Sequence, residues 1–107
     1  KIDYVDKILS SQNAMTVTQI AADYGLSAIA LNKILHDDHI QRNVNGQWIL
    51  YSDLMHNGYT KTKTHTYITS DGRLESKVST RWTQKGRLMI HELLKKRGIK
   101  AICEEVA

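Results

Sequence analysis

Gly25 sits between two short stretches of helical periodicity, and no other feature of the sequence restricts the fold as tightly. On its N-terminal side, Thr16 or Thr18 can cap a helix running to about Tyr24, because a hydroxyl accepts from the first free N–H groups of a helix. On its C-terminal side, Ser27 can cap a second helix to about His36. Glycine takes the left-handed conformation of a tight turn at little steric cost. Ala21 is small enough for a close helix crossing, and Ile20, Leu31 and Ile34 can lock the second helix onto the first. This pattern predicts a helix-turn-helix over about residues 17–36.

Two hairpin signals follow. Asn45-Gly46 lies between apolar-bearing runs, and a two-residue type I′ turn needs positive φ at both positions, so a short hairpin is expected over about residues 40–51. Helix-turn-helix followed by hairpin is the order of a winged helix. Ser52 can cap one helical turn in "SDLMHNG". A second hairpin, over about residues 61–82, turns at Asp71-Gly72. In its first strand Thr60, Thr62, Thr64, Thr66 and Ile68 share one face, and Lys61, Lys63, His65 and Tyr67 share the other.

Helices close both ends. Ile2, Val5, Ile8 and Leu9 form a helical stripe near the start. Thr83 can cap a helix over about residues 84–97, with apolar pairs Met89–Leu93 and Ile90–Leu94, and Gly98 followed by Ile99 can end it. Lys95, Lys96 and Arg97 then complement the helix dipole. Trp48 and Trp82, each among strand-forming residues, are expected to anchor the core. At 107 residues the chain is expected to form one α+β domain, a winged helix-turn-helix with an added basic hairpin and a C-terminal helix.

Charge divides the chain. The net charge is +4, yet residues 1–59 hold four Lys/Arg against six Asp/Glu, and residues 60–100 hold eleven against three. So basic a segment suits an anionic partner, and a twisted basic ribbon can follow a nucleic-acid backbone. Lys61, Lys63, Lys77 and Arg81, with Arg42, are therefore candidates for phosphate contact. If the second helix of the pair enters a major groove, Ser27, Asn32, Lys33 and His36 face outward and are candidates for base contact. Against that reading, Ala28, Ile29 and Ala30 are apolar, and Asp37-Asp38 ends the helix in negative charge. The same architecture also serves as a protein-docking module.

Other chemistries find little footing. His36 and His39 are three apart, but no Cys pair or third spaced histidine joins them, so no metal is expected. His91-Glu92 lacks the second histidine of a zinc-protease helix. There is no Gly-rich phosphate loop and no nucleophile elbow, so neither catalysis nor a cofactor is expected. The single cysteine, Cys103, precedes two glutamates that disfavour its thiolate; it reads as a small hydrophobe in a reducing compartment. No apolar run reaches the ~20 residues of a membrane span, no signal-peptide pattern opens the chain, and it begins at Lys1 as a fragment of a longer protein would.

The stretches "NGQWILYSDLM", "TKTKTHTY" and "STRWTQKGRLMIHELLKKRGI" resemble the C-terminal, KilA-C type domain of bacteriophage antirepressor proteins. The likeness runs from about Tyr4 to Ile99 and is most specific over Thr80–Leu94. The resemblance implies a phage protein acting in the bacterial cytoplasm, with a further domain preceding this one, that helps to relieve repression during prophage induction. It implies double-stranded DNA as partner. The other reading is a module that binds the phage repressor, or a second copy of itself, without contacting DNA.

Overall fold

A computed structural model describes residues 3–11 and 13–105, except the Glu105 side chain, so Ile2 of the expected N-terminal stripe lies outside the described residues. The chain is mixed α+β: α1 (Tyr4–Ser10), α2 (Val17–Asp23), α3 (Ala28–Asp37), β1 (Gln41–Val44), β2 (Gln47–Leu50), β3 (Thr60–Ile68), β4 (Leu74–Trp82), α4 (Gln84–Lys96) and α5 (Ile102–Glu105). The strands form two separate antiparallel pairs, β1–β2 and β3–β4. The molecule is elongated, 52 × 27 × 23 Å.

Local chemistry sets the helix boundaries. Thr16 caps α2 in a reciprocal capping box with Gln19, so of the two candidate threonines it is Thr16 that caps. Ser27 caps α3 and Thr83 caps α4. Three helices end in the same Schellman arrangement, in which two backward hydrogen bonds satisfy the last carbonyls. After α2 the turn residue is Gly25 (φ +71°), with Leu26 N–H bonded to the Ala21 carbonyl. After α4 it is Gly98, with Ile99 bonded to Leu94. After α3 it is His39, at φ +59°, with Ile40 bonded to Leu35. Leu26, Ile40 and Ile99 each pack against the core as the chain leaves its helix.

The core lies among the helices. Tyr4, Ile8, Ile20, Ala21, Leu31, Leu35, Ile90 and Leu94 are buried, together with Tyr24, Leu50, Trp82 and Ala101. On α1 the inward pair is Tyr4 and Ile8, whereas Leu9, expected on the apolar stripe, is 55% exposed. Arg87 and His91 on α4 are buried as well. Arg87 Nη2 donates to the Tyr4 hydroxyl at 3.2 Å, and that hydroxyl donates to Asp23 at 2.6 Å. The buried guanidinium is thereby linked to a carboxylate through a phenol. Burial, reinforced by the bond to Asp23, pushes the Tyr4 hydroxyl up to about 12. Tyr24 shares a hydrogen bond with His91 Nδ1 (2.9 Å), and burial raises its pKa further.

The chain stretch carrying the strongest resemblance turns out to be the hub of the fold. Thr83 Oγ1 donates to the Gly58 carbonyl while accepting from Gly86 N–H. The Gln84 side chain donates to the carbonyls of Ile8, Leu9 and Ser11, closing the end of α1. Gly86 lies so close to Tyr59 that a Cβ there would strike the Tyr59 carbonyl oxygen and stand 2.9 Å from the Trp82 ring. Trp82 also pairs through its backbone with Met15 in both directions, at 3.0 and 2.7 Å. At the far ends of α3 and α4, Arg97 holds Asp38 in a two-pronged ion pair, and its hydrogen bonds keep the Asp38 carboxyl below its ordinary range.

Three local expectations change. The segment 52–58 forms irregular turns in place of a helical turn capped by Ser52. The second hairpin closes through three residues, Ser70, Asp71 and Gly72, because Thr69 and Arg73 are still paired. Gly72 occupies the left-handed position of such a loop (φ +86°). Trp82 is in the core at 2% exposure, but Trp48 is only half-buried. It stands edge-on to His36, ring centroids 6.1 Å apart, while Leu50, two residues nearer the base of the same hairpin, takes the buried position.

Candidate nucleic-acid interface

The β3–β4 ribbon projects from the helical body with nine-residue strands, and its register decides which side chains share a face. Lys61 stands opposite Arg81, Lys63 opposite Ser79, His65 opposite Lys77 and Tyr67 opposite Glu75. Directly opposed side chains on one face stand about 5 Å apart. The four phosphate candidates Lys61, Lys63, Lys77 and Arg81 therefore gather on one face, with His65 among them. Thr60, Thr62, Thr64, Thr66 and Ile68, paired with Trp82, Thr80, Val78, Ser76 and Leu74, form an uncharged reverse face.

Electrostatics sharpen the division. At the ribbon's tip Arg73 pairs with Asp71 (3.0 Å) and Glu75 (3.4 Å), and Thr69 also bonds Asp71, so the local acids are answered there. Hydrogen bonds from Thr69 and Arg73 hold the Asp71 carboxyl below its usual range. Among the described residues, none of Lys61, Lys63, Lys77 and Arg81 lies in an ion pair. The Ser79 hydroxyl and Arg81 Nε, on the same face, also have no hydrogen-bond partner. A nine-residue strand is about 30 Å long, and a two-stranded ribbon fits the ~12 Å major groove of a duplex.

The base-contact candidates on α3 are placed less uniformly. Ser27 is exposed, and its hydroxyl is engaged as the helix cap. Asn32 is half-buried, and its Oδ1 accepts from Gln41 Nε2 at 2.8 Å, so it is tied to β1 and not free on an outward arc. Lys33 is exposed and pairs with Asp37 at 3.4 Å. His36 is exposed between Asp37 and Trp48. Arg42 is exposed on β1, opposite Ile49, on a different hairpin from the other four phosphate candidates. Ile29 is 83% exposed at the start of α3. Gln84, Gly86 and Arg87, which the sequence reading passed over, and His91, weighed there only as a metal ligand, serve the fold; the i, i+3, i+7 spacing of Gln84, Arg87 and His91 on one helical face was the available signal, and Gly86 had none. Among the described residues, no three His, Cys, Asp or Glu side chains converge as a metal site would require, and no helix is long and apolar enough to cross a membrane.

The chain is thus an α+β domain whose basic ribbon stands away from its core. The family model for the phage antirepressor protein KilAC domain matches residues 1–97, and the chain belongs to that family. No curated protein and no solved structure matches the chain.

Proposed function

We propose that this chain is a DNA-binding module of a phage antirepressor that takes part in relieving lysogenic repression. The observation that carries the proposal is the gathering of Lys61, Lys63, Lys77 and Arg81 on one face of the ribbon, free of carboxylate partners among the described residues. These four, with Arg42, contact phosphates in this reading, while α2, the Gly25 turn and α3 act as a helix-turn-helix with β1–β2 as its wing. Ser27, Lys33 and His36 then offer base-edge contacts, and Asn32 joins them only by giving up Gln41. The whole chain acts as one C-terminal domain in the bacterial cytoplasm, without catalysis or a cofactor.

The experiment is a titration of one duplex at several salt concentrations with the parent and with the Lys61→Ala/Lys63→Ala variant. Each phosphate contact removed lowers the slope of log affinity against log salt by about 0.9, so the double variant is expected to lose about 1.8. Parallel slopes would remove the ribbon from the interface. The exposed Ile29 favours a second reading, in which α3 docks on the phage repressor protein. Repressor capture by a parent that binds no DNA at low salt would replace the first reading with the second.

A further inference from the structure

The reverse face of the β3–β4 ribbon has a partner chemistry of its own. From Thr60 and Trp82 outward it carries only Thr, Ser, Val, Ile, Leu and Trp. At the outer end Ile68 and Leu74 are each 73% exposed, and Val78 is 49% exposed. At the inner end the same face runs into a cleft of about 400 Å³, where Trp48, Leu50 and Met55 stand with Thr62 and Trp82, and Lys61, Gln41 and Gln47 complete the lining. Met55 at the cleft is 50% exposed. An apolar knob and a hole floored by Trp48, Leu50, Met55 and Trp82 with a polar rim thus lie along one face, separated by six residues of extended chain from Thr62 to Ile68, or about 20 Å.

We propose that two copies of this chain associate through these reverse faces, each seating Ile68 and Leu74 in the other's cleft beside Trp48 and Met55. A two-fold interface must be self-complementary: the knob of each copy meets the hole of the other, and the same residues meet near the axis. Thr64 and Val78, midway between knob and hole, take that central position. Charge selects this face, since bringing two basic faces together would oppose Lys61, Lys63, Lys77 and Arg81 to their own copies. The ribbon also gains what it lacks alone: a two-stranded hairpin open on both faces is marginal in water. Its footprint, about 30 by 10 Å plus the cleft, falls short of the ~800 Å² per partner of a standard interface. The dimer is therefore concentration-dependent and weak, with the basic faces directed away from each other. The association does not depend on DNA binding.

The test is sedimentation equilibrium of the full chain without nucleic acid, from sub-micromolar to millimolar protein. The parent's apparent mass is expected to rise from 12.2 kDa towards that of a dimer. Ile68→Lys/Leu74→Lys, at the knob, is expected to weaken association by about tenfold or more. Met55→Glu, at the hole, is expected to weaken it similarly, and this variant decides the matter if the knob variant fails to fold. A parent that stays a single chain throughout the range overturns the proposal. So does undiminished association in the folded variants, which would indicate pairing along the open strand edges.

Discussion

The two hairpins of this chain share an antiparallel plan and end in different environments. β1–β2 has four-residue strands, a two-residue turn and two buried residues, Gln41 and Leu50. Asn45 and Gly46 occupy its turn at φ +52° and +81°, as a type I′ hairpin requires. β3–β4 has strands more than twice as long, yet Trp82 is the one buried residue in them. The first hairpin is held by its contact with the helices. The second is anchored at its base, through Trp82, Met15 and the Gly86 contact with Tyr59, and is otherwise held by its own cross-strand pairing. The lesson is that paired and unpaired cations have been separated: Arg87 and Arg97 are bonded within the helical body, while Lys61, Lys63, Lys77 and Arg81, without ion-pair partners among the described residues, stand on the ribbon that the core does not cover.

The largest expected effect comes from breaking the ribbon's base. Gly86→Ala places a methyl group against backbone, which cannot yield as a side-chain tip would. A loss of about 3 kcal/mol or more is expected, read as a fall in the denaturant midpoint. An unchanged midpoint would detach the ribbon's anchor from the fold. Next comes Gly25→Val. The space beyond Gly25 is ordinary, with Ile102 Cδ1 at 3.5 Å, so the cost is backbone strain at φ +71°, about 1–3 kcal/mol. Thermal unfolding measures it, and no change would count against the tight turn between α2 and α3.

A pH experiment probes the buried side of the comparison. The folded-state pKa of Tyr4 is raised from 10.0 to about 12, so folding favours its protonated form. The associated stability is complete below pH 10.0 and is lost as pH rises through about 12. Tyr24 shifts in the same direction. Absorbance titration should therefore show two of the five tyrosines ionising only as the protein unfolds in alkali. Ionisation of all five in the folded state would contradict the burial of this pair. A smaller effect, of opposite sign, is expected for His39→Gly. It relieves a left-handed residue at φ +59° and should stabilise by about 0.5 kcal/mol in urea unfolding, the gain in strain being offset by glycine's entropy. Smallest of all, Lys61→Ala/Lys63→Ala should change stability by no more than about 0.5 kcal/mol, because both side chains are exposed.

Much of the fold was legible because short-range chemistry specified it. Thr16, Ser27 and Thr83 cap helices, Gly25, Gly46 and Gly98 turn the chain, and period-two alternation sets the ribbon's two faces. The less legible parts depend on distant partners. Nothing local to His39 marks it as a left-handed helix end; Leu35 and Ile40 make it one. Trp48 carries the composition of a core residue, but it lies nearer the hairpin's turn than Leu50, which takes the buried place. Asn32 has an outward position on the helix by spacing, yet Gln41, nine residues on, captures it. Nothing local to Arg87 and His91 marks them as buried; Tyr4 and Tyr24, distant in the chain, supply their hydrogen bonds. The basic face was readable on β3 by alternation, whereas its completion by Lys77 and Arg81 needed the register across a three-residue loop.

The most direct test of the division between stabilising body and binding ribbon is backbone-amide chemical-shift mapping while a DNA duplex is titrated into the protein at low salt. The account predicts that the largest shifts fall on Lys61, Lys63, Lys77, Arg81 and their strand neighbours, while core residues such as Leu31, Ile90 and Leu94 stay in place. Shifts centred on α3 and β1–β2 with a silent ribbon, or no shifts at all, would contradict it.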